Sequence, residues 1–138
     1  MVLQFFKTNV TPDTLYRWLQ YRGLSRHSGY DLAYCFNQHI SGVVDTFSMT
    51  SSVEKVKQDI DRGMPSIIHG YFTSFGHIIV VTGYDKDGLI VNDPNGEWFS
   101  SGYRKDLSGK GLHYSYDLID RVAAYDGNLW HHTFTYAS

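Results

Sequence analysis

The most restrictive feature of this sequence is the run His77-Ile78-Ile79-Val80-Val81-Thr82, with Gly76 before it and Gly83 after it. β-Branched side chains crowd a helix but suit a pleated strand, so the run predicts a strand over 77–84. Asp85-Lys86-Asp87-Gly88 has the composition of a hairpin turn, and Leu89-Ile90-Val91 returns as the partner strand. Asn92-Asp93-Pro94-Asn95-Gly96 follows as a second turn cluster. A core containing this segment must be built on a sheet.

The residues before it read as helices. Met1–Phe6 is a helix tail, and Thr11-Pro12-Asp13 is a helix start, with a Thr cap and Pro at the first helical position. The helix 13–22 follows, closed by Gly23. Ser28 caps a helix over 29–38, and Ser51 or Ser52 opens another that stops at Gly63 and Pro65. Residues 65–71 then read as a strand, 100–111 as a polar, Gly-rich loop, 115–124 as a short helix and 129–136 as a last strand. Helices followed by an antiparallel sheet make an α+β chain. Its 138 residues, 42% hydrophobic, fit a single domain over 1–138, since domains commonly run to about 100–150 residues.

Composition removes several function classes. A formal charge of −2 leaves no electrostatic footprint for nucleic acid. The one cysteine, Cys35, excludes an intrachain disulfide framework and a Cys-rich zinc site. The longest aliphatic run, Ile78–Val81, falls far short of the roughly 20 residues of a membrane span. Met1–Lys7 has no basic leader and is not a signal peptide. No motif calls for a metal or cofactor. His131 and His132 are neighbours on a strand and point to opposite faces, a poor ligand pair that reads as an edge strand. Asp85–Gly88 is too short for a calcium loop.

The chemistry concentrates on His77 and Asp93. If the hairpin turns at Lys86-Asp87, Asp85 pairs with Gly88. The partner of His77 then lies near position 96, within about three residues of Asp93, so that the two side chains can approach on one face. A histidine oriented by a carboxylate is the base half of a nucleophilic triad. Spacing alone leaves open the plainer reading of a surface histidine and a turn aspartate.

Three segments narrow the choice: Gly63-Met64-Pro65 with Ile67-Ile68-His69-Gly70, Gly76-His77 running into Gly83-Tyr84-Asp85, and Asn92-Asp93-Pro94-Asn95-Gly96. In this order and spacing they resemble the double-glycine-peptidase-like cysteine peptidases of the papain-like superfamily, over roughly residues 1–100; the tail from Leu112 to Trp130 resembles bacterial and phage members more loosely. The resemblance implies a papain-like fold with N-terminal helices packed on a C-terminal antiparallel sheet, hydrolysis of peptide or isopeptide bonds, His77 as general base and Asp93 as its orienter. It implies a peptide or peptidoglycan-type substrate. Tyr71, Phe72 and Phe75, in the aromatic loop between His69 and His77, are the substrate-contact candidates, set against ordinary packing.

The departure is the nucleophile. The family carries its cysteine at the start of the central helix, where the helix dipole favours the thiolate, with an oxyanion Gln shortly before it. In this comparison Met1–Phe6 is the end of that helix, so both residues fall before Met1. Cys35, mid-helix in Leu32-Ala33-Tyr34-Cys35-Phe36, reads as a small core residue with a raised pKa, and only a third, weaker reading makes it the nucleophile. The expectation is an N-terminally truncated domain, inactive as it stands, with an exposed helix groove open to self-association. The alternative is a catalytically inactive fold that binds peptide or cell-wall material. A secreted or cell-envelope location follows only if a signal lies upstream.

Overall fold

The computed structural model describes residues 2–6, 10–70, 77–93, 96–99, 102–104, 108–124 and 126–137. Five helices and eight strands follow along them: α1 (Val2–Phe5), α2 (Pro12–Tyr21), α3 (Gly29–His39), β1 (Val43–Ser51), α4 (Val53–Asp61), β2 (Ser66–Gly70), β3 (His77–Tyr84), β4 (Gly88–Asn92), β5 (Glu97–Phe99), β6 (Gly102–Arg104), β7 (Leu112–Ser115), α5 (Tyr116–Val122) and β8 (Leu129–Tyr136). The fold is α+β, with a six-stranded sheet in the order β1-β8-β2-β3-β4-β7 and a separate β5-β6 ribbon. No described helix is long and apolar enough to cross a membrane.

Local chemistry explains the helix ends. The side chains of Thr11, Ser28, Ser52 and Ser115 each accept the backbone N–H three residues on, from Thr14, Asp31, Lys55 and Leu118. Each cap satisfies one of the four donors that a helix start leaves unpaired. Gly23 and Gly63 follow α2 and α4 at φ of +68° and +78°, the left-handed conformation that a side chain disfavours.

Two compact units make up the chain, residues 1–47 with 132–138, and residues 48–131. In the first, Phe36 and Phe134 meet edge to face at 5.4 Å between ring centres, with Phe6 at 5.7 Å from Phe134. The carboxylate of Asp45 on β1 binds His132 Nδ1 at 2.9 and 3.0 Å, and Asn37 closes both backbone groups of Asp45 at 2.8 Å. In the second, Val56 of α4, Ile68, Ile79, Val81, Leu89, Val91 and Tyr114 of the sheet, Leu118 and Ile119 of α5 and Leu129 of β8 form one buried cluster.

Three expectations are corrected. The segment before 65 is not wholly helical: β1 lies inside it. Its burial alternates over Val43–Phe47, but Asp45 occupies a buried position, so the apolar–polar alternation that marks a strand is broken in the sequence. The polar stretch 100–111 is not all loop, since Gly102–Arg104 pairs antiparallel with Glu97–Phe99. β8 is no edge strand: it lies between β1 and β2, and His131 and His132 are 1% and 2% exposed. Each imidazole has its own buried carboxylate, which is what allows two histidines to sit inside a fold.

The β3–β4 hairpin sets where Asp93 stands relative to His77. Near the turn, Tyr84 pairs with Leu89 and Gly83 with Ile90; farther on, Val81 pairs with Val91 and Val80 with Asn92. Thr82 is the extra residue, a β-bulge. This corrects the count from the turn as well: continued unbroken, that register sets position 93 level with Val80, on the face away from His77. After the bulge it stands level with Ile79, one step beyond the last rung. His77, Ile79 and Val81 share a face, so the bulge brings Asp93 round to the side of His77.

Candidate functional site

His77 begins β3 and Asp93 follows the last residue of β4. Their side chains meet: His77 Nε2 lies 2.7 Å from Asp93 Oδ1. The imidazole remains 13% exposed, while the carboxylate is fully enclosed. A buried carboxylate needs donors to stay charged. Besides His77, the hydroxyl of Tyr114 donates to Asp93 Oδ2 at 2.9 Å. The backbone is pinned too. Asp93 N–H donates to Gly109 O at 2.7 Å and Gly96 N–H to Asp93 O at 3.1 Å. Alongside, the N–H of Gly111 donates to Asn92 Oδ1 at 2.8 Å.

Sequence reasoning paired His77 with Asp93 but missed Tyr114 and Gly109. Tyr114 sits on β7 opposite Leu89, facing the core, and is 2% exposed. The one signal available was the alternation Leu112-His113-Tyr114-Ser115, which turns Tyr114 inward but does not say what its hydroxyl meets. Tyr71, Phe72 and Phe75 lie outside the described residues.

A second imidazole–carboxylate cluster lies in the same unit. His131 Nε2 is 2.8 Å from Asp59 Oδ2 and His131 Nδ1 is 2.8 Å from Ser51 Oγ. Ser66 donates to Asp59 Oδ2 at 2.8 Å and Arg62 to Oδ1 at 2.6 Å. Serine, histidine and aspartate are the ingredients of a hydrolase triad, but Ser51, Asp59, Ser66 and His131 are all at most 4% exposed. A substrate cannot reach that hydroxyl, so the cluster ties the end of β1, α4, β2 and β8 together. Exposure separates these two clusters: the His77 ring reaches solvent and the His131 ring does not.

Cys35 is fully buried on α3. Burial pushes its thiol up, more than nearby Arg22 draws it down. A protonated, enclosed thiol is neither a nucleophile nor an accessible one. Native Cys35 is therefore expected to react with a thiol reagent about a hundredfold or more slowly than in the urea-unfolded chain. Labelling kinetics in buffer and in urea check this, and comparable rates would show an open site at α3.

Compared with known proteins, the chain matches the model of the Peptidase_C39 like family over residues 1–124. No curated protein and no solved structure matches it.

Proposed function

The chain belongs to the Peptidase_C39 like family, and we propose that it is a papain-like cysteine-peptidase domain in which His77 is the general base and Asp93 its orienter. The observation that carries this reading is the 2.7 Å contact from His77 Nε2 to an enclosed Asp93 carboxylate, with the ring itself at the surface. With Nε2 committed to Asp93, the proton-accepting nitrogen is Nδ1. In acyl transfer Nδ1 takes the thiol proton, the thiolate adds to the scissile carbonyl carbon, and the imidazolium returns the proton to the leaving amine. Asp93 fixes the tautomer and steadies the imidazolium.

Cys35 does not supply the thiol, so this reading draws the nucleophile and an oxyanion Gln from residues outside these 138. The substrate class is a peptide or a peptidoglycan-type crosslink. Tyr71, Phe72 and Phe75 follow β2 in sequence and immediately precede His77, which is why the proposal keeps them as substrate contacts.

Nitrogen-15 NMR of the histidines tests the pair. His77 is expected to hold the Nε2–H tautomer in the native chain, and Asp93→Ala to return it to a tautomer mixture. An Nδ1–H ring, or a ring indifferent to Asp93→Ala, would remove the orienter. The 138-residue chain is expected to hydrolyse no member of a peptide library; hydrolysis abolished by Cys35→Ala would place the nucleophile on α3. Reading the codons upstream in frame decides the rest. A Gln and then a Cys shortly before Met1 supports the enzyme, and a stop codon there supports an inactive, peptide-binding fold.

A further inference from the structure

Asp93 stands one residue past the end of β4, so the ladder does not fix its side chain, and a carboxylate turns about its last bond between two nearly equivalent positions. A half-turn exchanges two equivalent oxygens, so what has to be fixed is the plane of the carboxylate. The structure shows one arrangement, with Oδ1 on His77 and Oδ2 on Tyr114. Tyr114 is held by the fold rather than by the site. Its backbone on β7 pairs with Leu89 of β4, and its ring belongs to the buried cluster of Ile79, Leu89, Val91 and Leu118.

We infer that Tyr114 is the positioning residue of the His77–Asp93 pair, its hydroxyl holding Asp93 Oδ2 so that Oδ1 is presented to His77 Nε2. The inference rests on the functional reading above and extends it to a residue on a third strand. Two consequences follow from the chemistry. The carboxylate plane is locked, which sets the direction of the imidazole. The buried carboxylate also keeps a neutral donor on Oδ2 that does not depend on the His77 ring. A phenol suits this place because its ring joins the core and only its tip is polar.

The test uses the 138-residue chain and the variant Tyr114→Phe, which keeps the ring and deletes the hydroxyl. Exchange of the His77 Nε2 proton with solvent is expected to quicken about tenfold in Tyr114→Phe, as a hydrogen bond of ordinary strength is loosened. A purely structural role would lower the melting temperature and leave that exchange unchanged, and this result would overturn the inference. A native chain whose His77 has no protected Nε2 proton would instead overturn the functional reading itself. If Tyr114→Phe fails to fold, the hydroxyl proton of Tyr114 in the native chain decides. Slow exchange, lost in Asp93→Ala, supports the role, and rapid exchange in the native chain refutes it.

Discussion

Asp59→Ala is expected to lower the unfolding free energy by about 2–4 kcal/mol at neutral pH, the cost of leaving buried hydrogen-bonding groups without their acceptor. The reason is the number of groups left behind. His131, Ser66 and Arg62 all bind that carboxylate, and His131 and Ser66 are too enclosed to turn to water. The effect depends on pH, and its sign can be worked out. Burial pushes the Asp59 carboxyl up, but hydrogen bonds from His131, Ser66 and Arg62 together outweigh it and hold the group below its usual value. A depressed folded-state pKa contributes stability above the unfolded value of about 4, and that contribution is lost as pH falls through the folded value. The gap between native chain and variant is therefore widest at neutral pH and narrows in acid. Urea unfolding on both sides of that range measures it. A neutral-pH gap below about 1 kcal/mol, the worth of an ordinary surface pair, would mean that the cluster does not hold these elements together.

Gly109→Ala is expected to damage the site from the backbone. A Cβ on Gly109 would fall on the carbonyl oxygen of Asp93, well inside contact distance, with the Asp93 carbonyl carbon at 2.9 Å and Gly96 Cα at 3.3 Å. Both partners are backbone, so no side-chain rotation relieves the clash. The two segments must part, which breaks the bond from Asp93 N–H to Gly109 O. Forcing one methyl into such a contact costs about 1–3 kcal/mol. The sharper readout is at His77: displaced Asp93 should no longer hold the Nε2–H tautomer, so nitrogen-15 spectra should resemble those of Asp93→Ala. A variant that melts lower yet keeps the native His77 spectrum would show that Gly109 serves packing alone.

These two predictions fall on residues that the sequence did not single out. Asp59 and Ser66 read as ordinary polar residues near a helix end and a strand start, and His131 as part of an edge strand. Their partnership spans about seventy residues of chain, and nothing local records it. β1 escaped for the same reason, because Asp45 stands where a strand pattern asks for an apolar side chain and is tolerated only because His132 meets it. Gly109 reads as one more loop glycine until the neighbouring carbonyl is known.

What the sequence determined by itself is what short-range physics writes. Thr11, Ser28 and Ser115 mark helix starts, and Ser51 or Ser52 another, because a hydroxyl cap reaches only an N–H about three residues on. The run from His77 to Tyr84 marks its strand because β-branched side chains decide locally. Residues 63–70, 76–85 and 92–96 carried the family resemblance, and with it the residues of interest, His77 and Asp93. What only the tertiary structure decided is the face on which they stand. Composition does not locate the bulge at Thr82, and strand side chains change sides at every residue. One unpaired position therefore exchanges the faces of all that follows, and sets Asp93 between His77 and the hydroxyl of Tyr114.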